Sequence, residues 1–143
     1  MVLLRRSALT LAAAAGLALS AALTAPAEAT APSAAVAYPT TPVDDVNYGA
    51  TYVRGTLTWY DRSVGITGTY RAIATSGCRR VWVGTYDAAG KPLDARSTST
   101  LCDGVKPIDF AVPADVPGGA AQVLVCLDDE NAEPLKCVLY ERP

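Results

Sequence analysis

The chain has 143 residues, a formal net charge of −2, four cysteines and no histidine. This length accommodates one domain. Without residues 1–29, interpreted below as an export signal, the net charge becomes −3 because Arg5, Arg6 and Glu28 are lost. An acidic chain does not fit a nucleic-acid binder that grips phosphates with basic side chains. The lack of histidine excludes Ser-His-Asp and Cys-His catalysis as well as imidazole metal ligation.

Residues 1–29 have the pattern of a secretory signal peptide. An arginine pair lies near the start, an apolar run covers 8–25, and Ala27-Glu28-Ala29 offers small residues around a cleavage point. We therefore predict a secreted, extracellular protein that begins at Thr30 and keeps no membrane segment. The arginine pair leaves both the general secretory route and the twin-arginine route open.

Residues 30–51 form a segment rich in Pro, Ala and Thr, with Pro32, Pro39 and Pro42. No apolar period runs through it, so we predict a flexible lead-in or a loosely docked arm. Its tyrosines favour docking at the edge of the domain over attachment to a cell wall or a partner.

Residues 52–143 have the pattern of an all-β domain. Short runs rich in Val, Thr, Tyr and Trp alternate with Gly, Pro, Asp and Asn clusters, and no helical period appears. Leu57 and Trp59, for example, share one face of a strand, so a second sheet must cover that face. We predict an antiparallel two-sheet sandwich of about seven strands, with a small closed β-barrel as the alternative. The predicted strands are 53–60, 64–74, 80–87, 92–98, 106–112, 121–128 and 135–141.

The segment 108–127, IDFAVPADVPGGAAQVLVCL, joins two alternating strands through a Pro-Gly corner. The prolines and glycines forbid a continuous ladder, which favours a crossover between sheets. This segment resembles the crossover of immunoglobulin-like and fibronectin-like sandwiches, although the Cys…Trp…Cys spacing of antibody domains is absent. The whole chain, with its Ala-rich signal and disulfide-bearing body, resembles the small exported β-sandwich proteins of actinobacteria. That resemblance implies a compartment and no activity.

The cysteines Cys78, Cys102, Cys126 and Cys137 all follow the predicted signal, and an even count in a short secreted chain indicates two disulfides. Four cysteines allow three pairings. Cys126 and Cys137 fall opposite each other if the last hairpin turns at 130–133, and Cys78 and Cys102 flank a hairpin centred on Gly90. We therefore predict Cys78–Cys102 and Cys126–Cys137. A zinc site would need close cysteine pairs or histidine.

The reactive side chains that remain without histidine predict a protein that has no catalytic activity and binds no cofactor or metal. Oxidised cysteines leave no thiolate nucleophile, and no glycine-rich phosphate loop is present. Paired carboxylates remain the one catalytic route, but the acidic residues fall mainly in turns and at strand ends. The cluster 128–133 offers oxygen ligands for calcium, yet it lacks the EF-hand spacing, and we interpret it as a solvated turn.

Two groups of residues are candidates for binding. Arg79 and Arg80 follow Cys78, as a specificity residue beside a disulfide does in inhibitors of serine proteases, although they more readily open a strand. Aromatic residues on an exposed sheet face would suit sugar stacking or protein binding. For both tryptophans a place in the core is the first interpretation. The aromatic candidates are Trp59, Tyr60, Tyr70, Trp82 and Tyr86.

The sequence thus predicts a secreted, non-catalytic binding module that recognises an extracellular protein or glycan and binds neither nucleic acid nor membrane. A structural or interaction protein of the cell envelope is the alternative. An inhibitor of an extracellular hydrolase is a third possibility, with the two arginines as its candidate contacts.

Overall fold

The computed structural model describes residues 37–143, which form eight antiparallel strands in two four-stranded sheets. The strands are β1 (Thr40–Tyr48), β2 (Thr51–Trp59), β3 (Ser63–Ala72), β4 (Arg80–Tyr86), β5 (Pro92–Ser97), β6 (Gly104–Pro113), β7 (Gln122–Asp128) and β8 (Pro134–Glu141). The first sheet has the order β1-β2-β3-β6, and the second has the order β5-β4-β7-β8. The predicted two-sheet sandwich is confirmed, and the barrel alternative is wrong because the sheets stay separate.

The predicted export signal and residues 30–36 of the arm lie outside the described residues. Within residues 37–143, no helix is long and apolar enough to cross a membrane.

The core lies between the sheets and is built from the apolar side chains that alternate along the strands. Leu57, Trp59 and Ile66 of the first sheet and Val83 and Val125 of the second are essentially inaccessible to solvent. Because a strand points successive side chains to opposite faces, the residues between them face outward. The crossover predicted after β6 is confirmed, since β6 belongs to the first sheet and β7 to the second.

Strand β1 corrects the prediction of a flexible or loosely docked arm over 30–51, but it does lie at the edge of the domain, where docking was favoured. Thr40–Tyr48 pairs with β2 at the edge of the first sheet, so the ordered domain begins before residue 52. A bulge between Val43 and Val46 turns both side chains inward, although they are three positions apart. Because of this spacing, β1 lacks the strict alternation of apolar and polar residues by which a strand is recognised in a sequence. Pro42 is tolerated because prolines occur in edge strands.

Both predicted disulfides are present, as Cys78–Cys102 and Cys126–Cys137. Two disulfides indicate an oxidising environment of the kind found outside the cell. Cys126 lies opposite Cys137 as expected, and the register shifts between Leu127 and Asp128, so that Asp128 pairs with Pro134.

The acidic tip between β7 and β8 is organised by Asp129. Its carboxylate accepts hydrogen bonds from the backbone N–H groups of Asn131 (2.8 Å) and Glu133 (3.0 Å). The bond from Glu133 is the largest cause that lowers the pKa of Asp129 below its ordinary value. Asp129 therefore uses its carboxylate to form the turn, as acidic residues commonly do.

Candidate ligand-binding face

Two of the aromatic candidates are core residues and are excluded from contact with a ligand. Trp59 is fully buried, and its indole N–H donates to the Thr41 hydroxyl at 2.9 Å. Tyr70 is also buried, and its hydroxyl donates to the Ser99 carbonyl at 2.7 Å. Both have their polar atoms satisfied inside the domain. The expectation of a core position for Trp59 is confirmed. The interpretation of Trp59 and Tyr70 as binding residues is wrong, because neither side chain reaches the surface.

Arg79 is a structural residue, and its interpretation as the contact residue of a protease inhibitor is wrong. Only 4% of it is exposed. Its guanidinium donates to the carbonyl oxygens of Ser76 (2.6 Å) and Cys78 (2.8 Å) and to the Thr51 hydroxyl (3.3 Å). These bonds tie the short turn before β4 to the start of β2. A protease pocket needs a protruding side chain, which this geometry does not offer.

Tyr60 lies next to the first sheet, apart from the candidates in the second. It follows β2, and its ring packs edge-on against Tyr38 with 4.8 Å between the ring centroids. Tyr38 and Tyr60 are each 37% exposed. This aromatic pair connects the segment before β1 with the end of β2.

Trp82 lies on the outward face of β4, not in the core. Strand β4 buries Val81 and Val83 toward the first sheet and turns Arg80, Trp82 and Tyr86 outward. The expectation of a core position for Trp82 is therefore wrong, whereas Arg80 opens the strand as expected. The run Val81-Trp82-Val83 is apolar on both faces, so alternation alone did not show which face meets the core.

The indole of Trp82 rests directly over Gly84. A Cβ atom on Gly84 would lie 2.2 Å from Cη2 of the Trp82 ring and 2.8 Å from Cζ3. Any side chain at position 84 would thus push the ring away from the strand. Glycine here lets the indole lie close against the strand.

The neighbouring strands extend an apolar surface from this indole. Trp82 pairs with Cys126, which is disulfide-bonded to Cys137, and Gly84 pairs with Leu124, which pairs with Leu139. Leu139 is 50% exposed. We call this surface the Trp82 face; it consists of Trp82, Gly84, Leu124, Leu139 and the Cys126–Cys137 disulfide. Trp82, Leu124 and Cys137 are half-buried, whereas Gly84 and Cys126 are buried beneath them. Apolar surface that stays partly open to solvent can mark an interaction site.

A shallow groove of about 380 Å³ lies at one end of the Trp82 face. Trp82, Leu124 and the disulfide supply its apolar lining, and Arg80 and Asp128 supply its charged groups. A volume of this size is within the range of small-ligand sites.

The charged end of the groove holds an incompletely paired donor and acceptor. Arg80 Nε lies 3.7 Å from Asp128 Oδ2, which is too far for a hydrogen bond. Within residues 37–143, Arg80 Nε is buried without a hydrogen-bond partner. The Asp128 side chain is only 5% exposed. Arg80 is oriented from its other side, where Nη2 donates to the Ser97 hydroxyl at 3.2 Å.

Burial raises the pKa of Asp128 above its ordinary value. Desolvation is the largest cause; Arg80 opposes it, whereas Asp129 and Glu133 reinforce it. The folded protein therefore binds a proton at Asp128 more tightly than the unfolded chain does. Ionised Asp128 thus reduces stability at neutral pH, and buried groups of this kind cluster at functional sites.

We expect Asp128→Asn to be at least as stable as the parent protein at pH 7. Because the folded pKa is raised, the parent loses stability as pH rises from about 3.9, the ordinary Asp value, through that raised pKa. An asparagine side chain at this position does not ionise, so the variant does not lose this stability. The difference in free energy of unfolding between the variant and the parent should therefore grow as the pH rises through this interval. Denaturant midpoints measured across this pH range test the expectation. Asp109→Asn, which changes an exposed carboxylate of β6, is the control and should change stability little at any pH. A disadvantage of Asp128→Asn that grows with pH would contradict it.

Tyr86 lies at the opposite end of β4 from Arg80, half-buried beside a larger crevice of about 690 Å³. The loops around Asp87 and Gly118 line this crevice together with Arg142. The Arg142 guanidinium donates to the carbonyl oxygens of Gly118, Trp59 and Tyr60, and its charge is therefore used to hold chain segments together.

Sequence reasoning missed the contributions of Gly84, Leu124, Asp128 and Leu139 to this surface. One signal was available: residues 123–127 read Val-Leu-Val-Cys-Leu, an unbroken apolar run. A strand with one solvated face usually alternates with polar residues, so such a run indicates that both of its faces contact apolar groups.

The chain matches no protein-family model, and no similar protein was found among curated proteins or solved structures. The functional assignment rests on the residues and their geometry.

Proposed function

We propose that the protein is a secreted, non-catalytic binding module that recognises an extracellular glycan or protein through the Trp82 face. The observation that carries this proposal is the indole of Trp82, which rests over Gly84 on an outward sheet face beside a ligand-sized groove. An aromatic ring held in this way offers a large contact area with little side-chain entropy to lose.

The composition of the face supports binding over a purely structural role. A strand with a solvated face normally carries polar residues there, whereas this face places Leu124 and half-exposed Leu139 beside the disulfide. Apolar surface left open to water favours association with a partner.

Secretion is supported by two independent features. The sequence of residues 1–29 has the signal pattern, and both cysteine pairs are disulfide-bonded. A non-catalytic role is supported by the histidine-free composition and by the use of all four cysteines in disulfides.

We also propose that the sandwich is immunoglobulin-like. If β2, β3 and β6 correspond to strands A, B and E, then β4, β5, β7 and β8 correspond to C, C′, F and G. This correspondence reproduces the neighbours C, F and G of that fold, with β1 as an additional edge strand. It supports the same assignment that the crossover pattern suggested.

Trp82→Ala tests the proposed function. We expect the parent protein to be retained by immobilised cell-wall polysaccharide or by extracellular protein extract, and the variant to lose at least about tenfold in affinity, as aromatic anchor residues do. Binding is measured by biolayer interferometry on the purified, oxidised protein.

Val105→Ser is the matched control, because it removes an exposed apolar residue from β6 in the other sheet. It should bind like the parent. Equal loss of binding in both variants, or unchanged binding in Trp82→Ala, would overturn the assignment of the Trp82 face.

A further inference from the structure

We propose that the ligand of the Trp82 face is a neutral sugar ring, which stacks on the Trp82 indole and places one hydroxyl group between Arg80 and Asp128. This inference rests on the proposed function and names the ligand class for the same surface.

The apolar part of the groove fits one face of a pyranose. A sugar ring presents C–H groups on a face and hydroxyl groups around its edge, so it needs an aromatic surface with polar groups beside it. Here the indole provides the surface, Leu124 and the disulfide border it, and the two charged residues lie at one end. This arrangement follows the general form of small-ligand sites, in which an apolar lining is combined with a few placed polar groups.

The polar end has the spacing that one oxygen atom can bridge. Arg80 Nε and Asp128 Oδ2 are 3.7 Å apart, so a single hydroxyl oxygen can lie within about 3 Å of both atoms once the Arg80 side chain, which is 26% exposed, turns its buried Nε toward the groove. That hydroxyl would accept a hydrogen bond from Nε–H and donate one to the carboxylate. It would satisfy a donor that is buried without a partner within residues 37–143.

The charge pattern selects a neutral ligand. An anionic sugar would meet the Asp128 carboxylate and, nearby, the acidic groups of Asp129 and Glu133. A cationic ligand would meet the Arg80 guanidinium, whose position is fixed by Ser97. A hydroxyl group satisfies both members of the pair because it both donates and accepts.

The small size of the Trp82 face and its groove favours a glycan over a protein as the ligand. Stable protein interfaces bury about 800 Å² on each partner. The Trp82 face instead combines a few apolar side chains with a groove of about 380 Å³ and a single donor–acceptor pair. A ring-sized ligand uses each of these elements.

The experiment titrates the oxidised protein with neutral oligosaccharides of glucose, galactose, mannose and N-acetylglucosamine and, for comparison, with polygalacturonate. Binding is followed by Trp fluorescence and by chemical shifts of backbone amides. We expect at least one neutral oligosaccharide to shift the amide signals of β4 and β7, with polygalacturonate binding more weakly.

Asp128→Asn and Trp82→Ala should each lower the affinity for that oligosaccharide about tenfold or more, since a hydrogen bond to a charged group and a stacking platform are lost. Asp109→Asn, an exposed carboxylate of β6, and Val105→Ser should bind like the parent.

The failures of the two proposals are distinguishable. If no neutral sugar binds while an extracellular protein binds in a Trp82-dependent manner, the sugar inference is overturned and the proposed function stands. If sugar binding is unaffected by Trp82→Ala, both are overturned. Sugar binding that depends on Trp82 but is unchanged in Asp128→Asn overturns the hydroxyl bridge.

Discussion

A chain that begins at Gly49, and therefore lacks β1, should lose most of its stability. Strand β1 buries Val43 and Val46 against the core, with 1% and 0% exposure. Burying one valine side chain contributes about 1.5–3 kcal/mol, so the pair contributes about 3–6 kcal/mol. Small domains are stable by only about 5–15 kcal/mol in total.

Removing β1 also leaves polar groups without partners. The Trp59 indole N–H would lose the Thr41 hydroxyl, and the Tyr140 hydroxyl would lose the Asp45 carboxylate. Burial of Tyr140 and its bond to Asp45 raise the pKa of that tyrosine above its ordinary value, so its hydroxyl stays protonated and needs an acceptor. An unsatisfied buried donor costs about 1–3 kcal/mol.

The measurement is urea denaturation followed by Trp fluorescence and circular dichroism. A chain beginning at Ala37 keeps β1 and is the control; it should unfold in a cooperative transition. The chain beginning at Gly49 should unfold at much lower urea or show no folded baseline. Equal midpoints for the two chains would show that β1 is not part of the stable domain.

Trp59→Ala should lower the free energy of unfolding by about 3–5 kcal/mol. The side chain is fully buried between the sheets, so truncation removes a large apolar contact area and leaves a cavity. The Thr41 hydroxyl also loses the indole N–H that donates to it. Trp59→Phe keeps most of the volume and should cost less.

Trp82→Ala provides the comparison within the same chain. It removes the same side chain type from a half-buried outward position, so it should destabilise the domain less than Trp59→Ala while lowering the affinity for the ligand about tenfold or more. Thermal and urea unfolding of the three variants test this order. A larger loss of stability for Trp82→Ala than for Trp59→Ala would contradict the assignment of the two indoles to different faces.

The sequence determined the features that local pattern controls. Runs rich in Val, Thr, Tyr and Trp, separated by Gly, Pro, Asp and Asn clusters, located seven of the eight strands of residues 37–143, and several runs also alternate because successive side chains of a strand point to opposite faces. Hairpin spacing then placed Cys126 opposite Cys137, and the Pro-Gly corner after residue 112 required the crossover between sheets. These inferences need only the geometry of a strand and of its turn.

Other features were decided only by the tertiary structure. The bulge in β1 turns Val43 and Val46 to one side, so an edge strand lies where strict alternation indicates none. In β4 the apolar run Val81-Trp82-Val83 suits either face, and only the position of the first sheet decides that the valines are covered and the indole is not. The closeness of Arg80 to Asp128 likewise depends on the pairing of β4 with β7, which are separated in sequence by two strands. Long-range packing, not local periodicity, therefore created the Trp82 face.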